Sequence, residues 1–250
     1  MKEEHRISPR AQKFLVLLAV FMATAFGLAW GFLIKMFPLP PATWTPVEVA
    51  RYYQDHAVSI RVGATICGWT SGFFVPLAVV TSAQMTRMEK GWPIWSVTQF
   101  AGAILTSIFL VLPAALWGVA AYRPDRDPGE ILILHDIVNL LLTTTDQYFI
   151  FMMFPVAYVA IKYGKVAGAP LPRWFGYLTI TCALLLEPGA LGYLAKTGPF
   201  AWNGLFVFWI PTFAFATWLN ALVLLLLKAI ARQQSEAAIE ARDKQPQAAF

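Results

Sequence analysis

Residues 131–163 read ILILHDIVNLLLTTTDQYFIFMMFPVAYVAIKY, and the fold turns on this stretch. About 20 apolar residues are enough to cross the roughly 30 Å hydrocarbon layer of a bilayer, and this run exceeds that length. Backbone groups in lipid must be satisfied within the segment, so the run is a transmembrane helix. Its polar residues follow a pattern. His135, Asn139, Thr143 and Asp146 are spaced by four, four and three residues, which places them on one helical face, with Asp136 and Gln147 at its edges. Such a stripe is costly against lipid and belongs against other helices or a water-filled cavity. It reads either as a polar conduit or ligand surface, or as interhelical glue worth about 1 kcal/mol per hydrogen bond.

Outward from this segment, five further stretches are long and apolar enough to span: 14–37, 57–85, 96–122, 175–195 and 205–230. The fold class is therefore all-α, a polytopic membrane bundle of six helices forming a single domain over residues 1–232. A polar tail, 233–250, continues the last helix before fraying at Pro246. Composition agrees, since 13% charged and 58% hydrophobic residues depart from the roughly 25% charged content of soluble domains. The second and fourth segments are long, so tilt, a kink at Pro76 or Pro155, or an extension into water must absorb the excess. The net charge of +5 is dispersed between apolar runs, which fits a membrane and not nucleic acid. Cys67 and Cys182 lie inside apolar segments and form neither a disulfide framework nor a CxxC pair. Walker A, GxSxG and GxGxxG motifs are missing, so no cofactor is indicated and ATP-driven transport by this chain alone is not.

Orientation follows from lysine and arginine, which are retained on the cytoplasmic side. With the N-terminus inside, thirteen of these residues fall on inner segments and six on outer ones: Lys35, Arg51, Arg61, Arg123, Arg126 and Lys196. Both termini are thus expected in the cytoplasm. Trp44, Trp92, Trp95, Trp174 and Trp202 sit near segment ends, where an amphipathic ring is favoured. The first segment also resembles a secretory signal with a cleavage site at Ala23-Thr-Ala25, but its apolar run continues to Phe37, and a retained helix fits better. Thr45-Pro46 reads as the N-cap and first residue of a short interfacial helix, and residues 123–130 as a solvated turn. Pro38-Leu-Pro40 before Trp44 and Pro170-Leu-Pro172 before Trp174 suggest two inverted three-helix halves.

Glu187 is the leading candidate for a site. Leu184-Leu-Leu-Glu187-Pro188-Gly189 puts a carboxyl deep in the fifth span beside a helix-breaking pair, at about the depth of Asn139, where it can bind a ligand or relay a proton. Arg61 and Asp136 lie at similar depths and are expected to pair, as are Asp146 and Asn220 of the sixth span. A metal site is a lesser alternative, from His56, His135 and Asp136 at the heads of two spans, although HExxH and histidine-rich motifs are missing.

The run Lys196-Thr-Gly-Pro-Phe-Ala-Trp-Asn-Gly204, followed by Phe208-Trp-Ile-Pro211, and the loop Arg123-Pro-Asp-Arg-Asp-Pro128 resemble a family of uncharacterised bacterial multi-pass membrane proteins. The resemblance covers most of the chain, implies a location in the bacterial inner membrane, and carries no activity. The residues themselves lead to a transport or ligand-binding protein with a polar site between the fourth, fifth and sixth spans. Its partners would be the bilayer and a small apolar or weakly acidic ligand. Two further readings are a noncatalytic subunit packed against a partner in a larger membrane complex, and a membrane enzyme acting through the outer His/Asp cluster.

Overall fold

The computed structural model describes residues 8–244; Lys2, His5, Arg6 and Pro246 lie outside them. Among the described residues there is no strand. The first rod is α1 (Pro9–Leu28) with a wider π-helical turn at Ala29–Ile34, closed by Lys35 in the left-handed conformation at φ 59°. The second joins α2 (Pro46–Thr70) to α3 (Phe74–Thr86) through the 3-10 turn Ser71–Phe73. α4 (Ile94–Thr106) and α5 (Ile108–Tyr122) make the third. α6 (Pro128–Thr144) and α7 (Phe149–Tyr163), joined by the 3-10 turn Asp146–Tyr148, make the fourth. The fifth is α8 (Arg173–Leu186) followed by a 3-10 stretch at Glu187–Tyr193. The sixth opens with a π turn at Leu205–Trp209 and continues as α9 (Ile210–Lys244). All six are long and apolar enough to cross a membrane, as a multi-pass integral membrane protein requires.

Side-chain caps set two of the starts earlier than hydropathy alone does. Thr45 and Glu48 form a reciprocal capping box, with Thr45 N–H donating to Glu48 Oε2 at 2.7 Å. The helix they open runs unbroken to Thr70, so Thr45-Pro46 heads the second span itself and not a separate interfacial helix. Asp127 accepts from Gly129 N–H at 2.8 Å and starts the fourth span at Pro128.

The breaks have local causes. Pro76 cannot bond the carbonyl of Gly72, four residues back, and the second span kinks there, with Gly72 at φ −80° and ψ 15°. In the fourth span the break does not fall at Pro155, which lies inside α7. It falls at Thr145, because three consecutive threonine hydroxyls turn back onto the preceding turn. Thr143 donates to Asn139 O at 2.9 Å, and Thr144 and Thr145 donate to Leu140 O and Leu141 O at 2.6 Å each. Such back-bonding bends helices.

In the bundle, α7 packs between α4 and α8, α2 against α5 and α6, and α1 against α3 and α9. The third and fourth spans touch backbone to backbone at Gly102, where a Cβ would lie 2.4 Å from the Phe151 carbonyl. Both described ends of the chain meet at one end of the bundle, here termed proximal. There the buried Gln84 amide donates to Gln12 Oε1 at 2.6 Å and to Gln233 Oε1 at 3.1 Å, while Arg87 reaches Gln84 Oε1 at 2.9 Å and Glu236 at 3.0 Å. At the distal end, Trp202 Nε1 donates to Pro40 O at 2.7 Å and Tyr52 Oη to Ile34 O at 2.7 Å. Phe14, Phe21, Phe32, Trp69 and Phe213 are exposed on the outside, an apolar surface suited to acyl chains.

Candidate functional site

Each of the six spans leaves regular α geometry somewhere, and residues at or beside those places line one cavity of about 180 Å³. Trp30 comes from the π turn of the first span and Phe73 from the 3-10 turn of the second. Phe109 and Leu110 follow Ser107, where α4 gives way to α5. Asp146, Leu186 and Phe208 come from the irregular turns of the fourth, fifth and sixth spans or stand next to them. Irregular backbone at membrane depth is tolerated where it is buried in protein or faces a cavity. The wall is almost wholly apolar, and among the described residues Asp146 is the one ionisable side chain in it.

Asp146 is 3% exposed, and its Oδ1 is buried without a hydrogen-bond partner. An unserved buried acceptor costs about 1–3 kcal/mol, more when charged. The carboxyl rests directly on Gly189, where a Cβ would stand 2.1 Å from Oδ1 and 2.2 Å from Oδ2, so any larger residue there must displace it. Next to this contact, Thr144 Oγ1 lies 2.8 Å from Tyr193 Oη, and the breaks of the fourth and fifth spans pack against each other.

The stripe predicted on α6 is buried along its length, with His135 at 1%, Asn139 at 0% and Thr143 at 4% exposure. His135 is enclosed by rings at the distal end. Trp44 stacks on it at 6.1 Å, the edges of Tyr53 and Trp202 stand 5.9 Å and 5.8 Å away, and Nε2 has no partner. Asn139 Nδ2 donates to His135 O at 2.8 Å, and its Oδ1 is also unpartnered.

Four expected contacts are replaced by others. Glu187 does not line the cavity and does not meet Asn139; its side chain is exposed. Leu186, the last residue of α8, faces inward, so Glu187 one step on faces out, while Gly189 and Gly192, three residues apart in the 3-10 stretch, turn inward. Arg61 does not pair with Asp136. It is exposed in a shallow groove between α2 and α5, with Nε donating to Ala57 O at 3.3 Å, while Asp136 is half-buried. Asn220 does not bond Asp146. It is exposed, donates to Ala216 O at 2.8 Å, and lines a groove of about 270 Å³ between α1, α3 and α9. That groove shares Ala23, Phe73 and Leu219 with the cavity. His56 turns its Nδ1 onto Tyr52 O at 3.0 Å, and among the described residues no three His, Cys, Asp or Glu gather as a metal-binding group around His56, His135 and Asp136.

Sequence reasoning missed the first three spans as contributors to the site. Trp30 and Phe109 carry no local signal beyond hydrophobicity, whereas Pro76 already marked the second span as one that breaks. No protein family, no curated protein and no solved structure matches the chain.

Proposed function

We propose that the protein binds a small, mainly apolar molecule in the central cavity and moves it across a bacterial inner membrane, with the proximal end in the cytoplasm. The observation that carries this reading is a buried carboxyl with one unpartnered oxygen, Asp146 Oδ1, in the wall of an otherwise apolar cavity where helix breaks from the six spans converge among the described residues. Apolar cavities of about 150 Å³ take up benzene, so a single-ring molecule fits a space of this order. Breaks in every span supply hinges by which spans can shift against one another. The groove beside Asn220 supports entry from the side, because it shares three wall residues with the cavity.

Fluorine NMR with a fluorinated tert-butylbenzene, using protein in nanodiscs against protein-free nanodiscs, tests the reading alongside uptake into proteoliposomes. Gly27 lies in the cavity wall and a Cβ added there meets nothing within 4 Å, so Gly27→Phe sets a ring at the wall with no clash at its first carbon. The expected result is unchanged thermal stability with binding and uptake reduced about tenfold or more. Equal binding and uptake by wild type and Gly27→Phe would reject the proposal.

A further inference from the structure

The Asp146 carboxyl meets backbone N–H groups of its own turn, but its Oδ1 is given no donor by the helix before it. The three hydroxyls that precede it, on Thr143, Thr144 and Thr145, are all turned onto main-chain carbonyls of α6, and among the described residues Oδ1 has no hydrogen-bond partner. Among the described residues neither Asp146 nor Glu187 has a cation; the ion pair that does form, Arg87 with Glu236, belongs to the proximal end. Both carboxyls flank one short turn, Asp146 resting on Gly189 from inside and Glu187 exposed two residues earlier. Around Asp146 the wall presents the rings of Phe26, Trp30, Phe73, Phe149, Phe208 and Phe215. Aromatic faces carry the negative lobe of a quadrupole and attract a desolvated cation most strongly.

From this juxtaposition we infer that the bound molecule is a small organic cation, an aryl or alkyl ammonium, whose charge rests on Asp146 and whose body lies among aromatic faces. The inference rests on the cavity being the binding site proposed above. A weakly acidic ligand would bring a second acid against Asp146, and a neutral hydrocarbon would leave Oδ1 unserved. A cation satisfies the carboxyl and the rings together.

Phenyltrimethylammonium and tert-butylbenzene have the same shape and differ by one charged centre. Their affinities for the full chain in nanodiscs, each corrected for partition into protein-free nanodiscs, give a preference ratio. Wild type is expected to favour the cation by about tenfold or more. Asp146→Asn, close to isosteric, is expected to bring the ratio near one while the neutral probe still binds. Binding of the neutral probe as tightly as the cation by wild type would overturn the cationic class and leave the cavity reading standing. Failure of both probes to bind wild type would overturn the cavity reading and this inference with it. The wild-type ratio decides without any variant, so a folding defect in Asp146→Asn does not shield the claim.

Discussion

Replacing Gly189 with alanine sets a methyl carbon 2.1 Å and 2.2 Å from the two carboxyl oxygens of Asp146. Ordinary carbon–oxygen contacts begin at about 3.3 Å, so the overlap is about 1 Å at each oxygen. Either the carboxyl swings into the cavity or the Glu187–Tyr193 stretch moves outward. Overpacking of this kind costs about 1–3 kcal/mol, and the empty space beside Asp146 keeps the figure near 2 kcal/mol. Removing the carboxyl first removes the clash. In an Asp146→Ala background, Gly189→Ala is therefore expected to be neutral or slightly stabilising, as alanine is over glycine in helical backbone by about 0.5–1 kcal/mol. A double-mutant cycle by reversible unfolding in mixed micelles should then give a coupling of about 2 kcal/mol. Gly192→Ala serves as control, since its Cβ would meet Val207 Cγ1 at 3.1 Å and cost less than about 1 kcal/mol. An equal cost for Gly189→Ala in both backgrounds would show that Asp146 does not rest on this residue.

Gly102→Ala meets the Phe151 main chain at 2.4 Å, and a carbonyl cannot swing aside as a side chain can. A loss of about 3 kcal/mol is expected by the same unfolding assay, and a loss below about 1 kcal/mol would contradict the close approach of the third and fourth spans. Gln84→Ala removes the donor to Gln12 and Gln233 and the acceptor of Arg87 at the proximal end. It should cost about 1–3 kcal/mol and speed amide exchange near residues 84–87, and unchanged exchange would count against the network. Trp202→Phe keeps a ring beside His135 but leaves the Pro40 carbonyl without its indole donor. The expected cost is about 1 kcal/mol, and a neutral outcome would mean that this tie between the distal loops contributes nothing.

Lipid made the spans legible, because it demands long apolar helices whatever the protein does. The inward stripe of His135, Asn139, Thr143 and Asp146 was legible for a related reason: a period near 3.6 fixes one face, and the cost of burying polar groups in oil chooses the inward direction. Depth along a helix was readable too, but not rotation about its axis once the winding changes. Glu187 stands about 100–120° around the axis from the inward-facing Leu186, and Gly189, three residues on from Leu186, returns to the inside; the rotation of the span and not its depth decides this. The pairings of Arg61 with Asp136 and of Asp146 with Asn220 failed on the same point, since equal depth says nothing about which sides face each other. Thr45-Pro46 was visible as a cap, but of a separate short helix, and Asp127-Pro128 was read within a solvated turn, so hydropathy placed both spans to begin later. Proline at 155 was the obvious breaker in the fourth span, but back-bonding by the threonine run came first along the helix.

Photo-cross-linking with a small aryl diazirine, mapped by mass spectrometry on the unaltered protein in nanodiscs, addresses the cavity without any substitution. If the cavity is where the ligand sits, labels concentrate on Phe26, Trp30, Phe149 and Phe208 and are displaced by excess unlabelled probe. Labels confined to Phe14, Phe21, Phe32 and Phe213 on the outer surface, and unaffected by competitor, would contradict it.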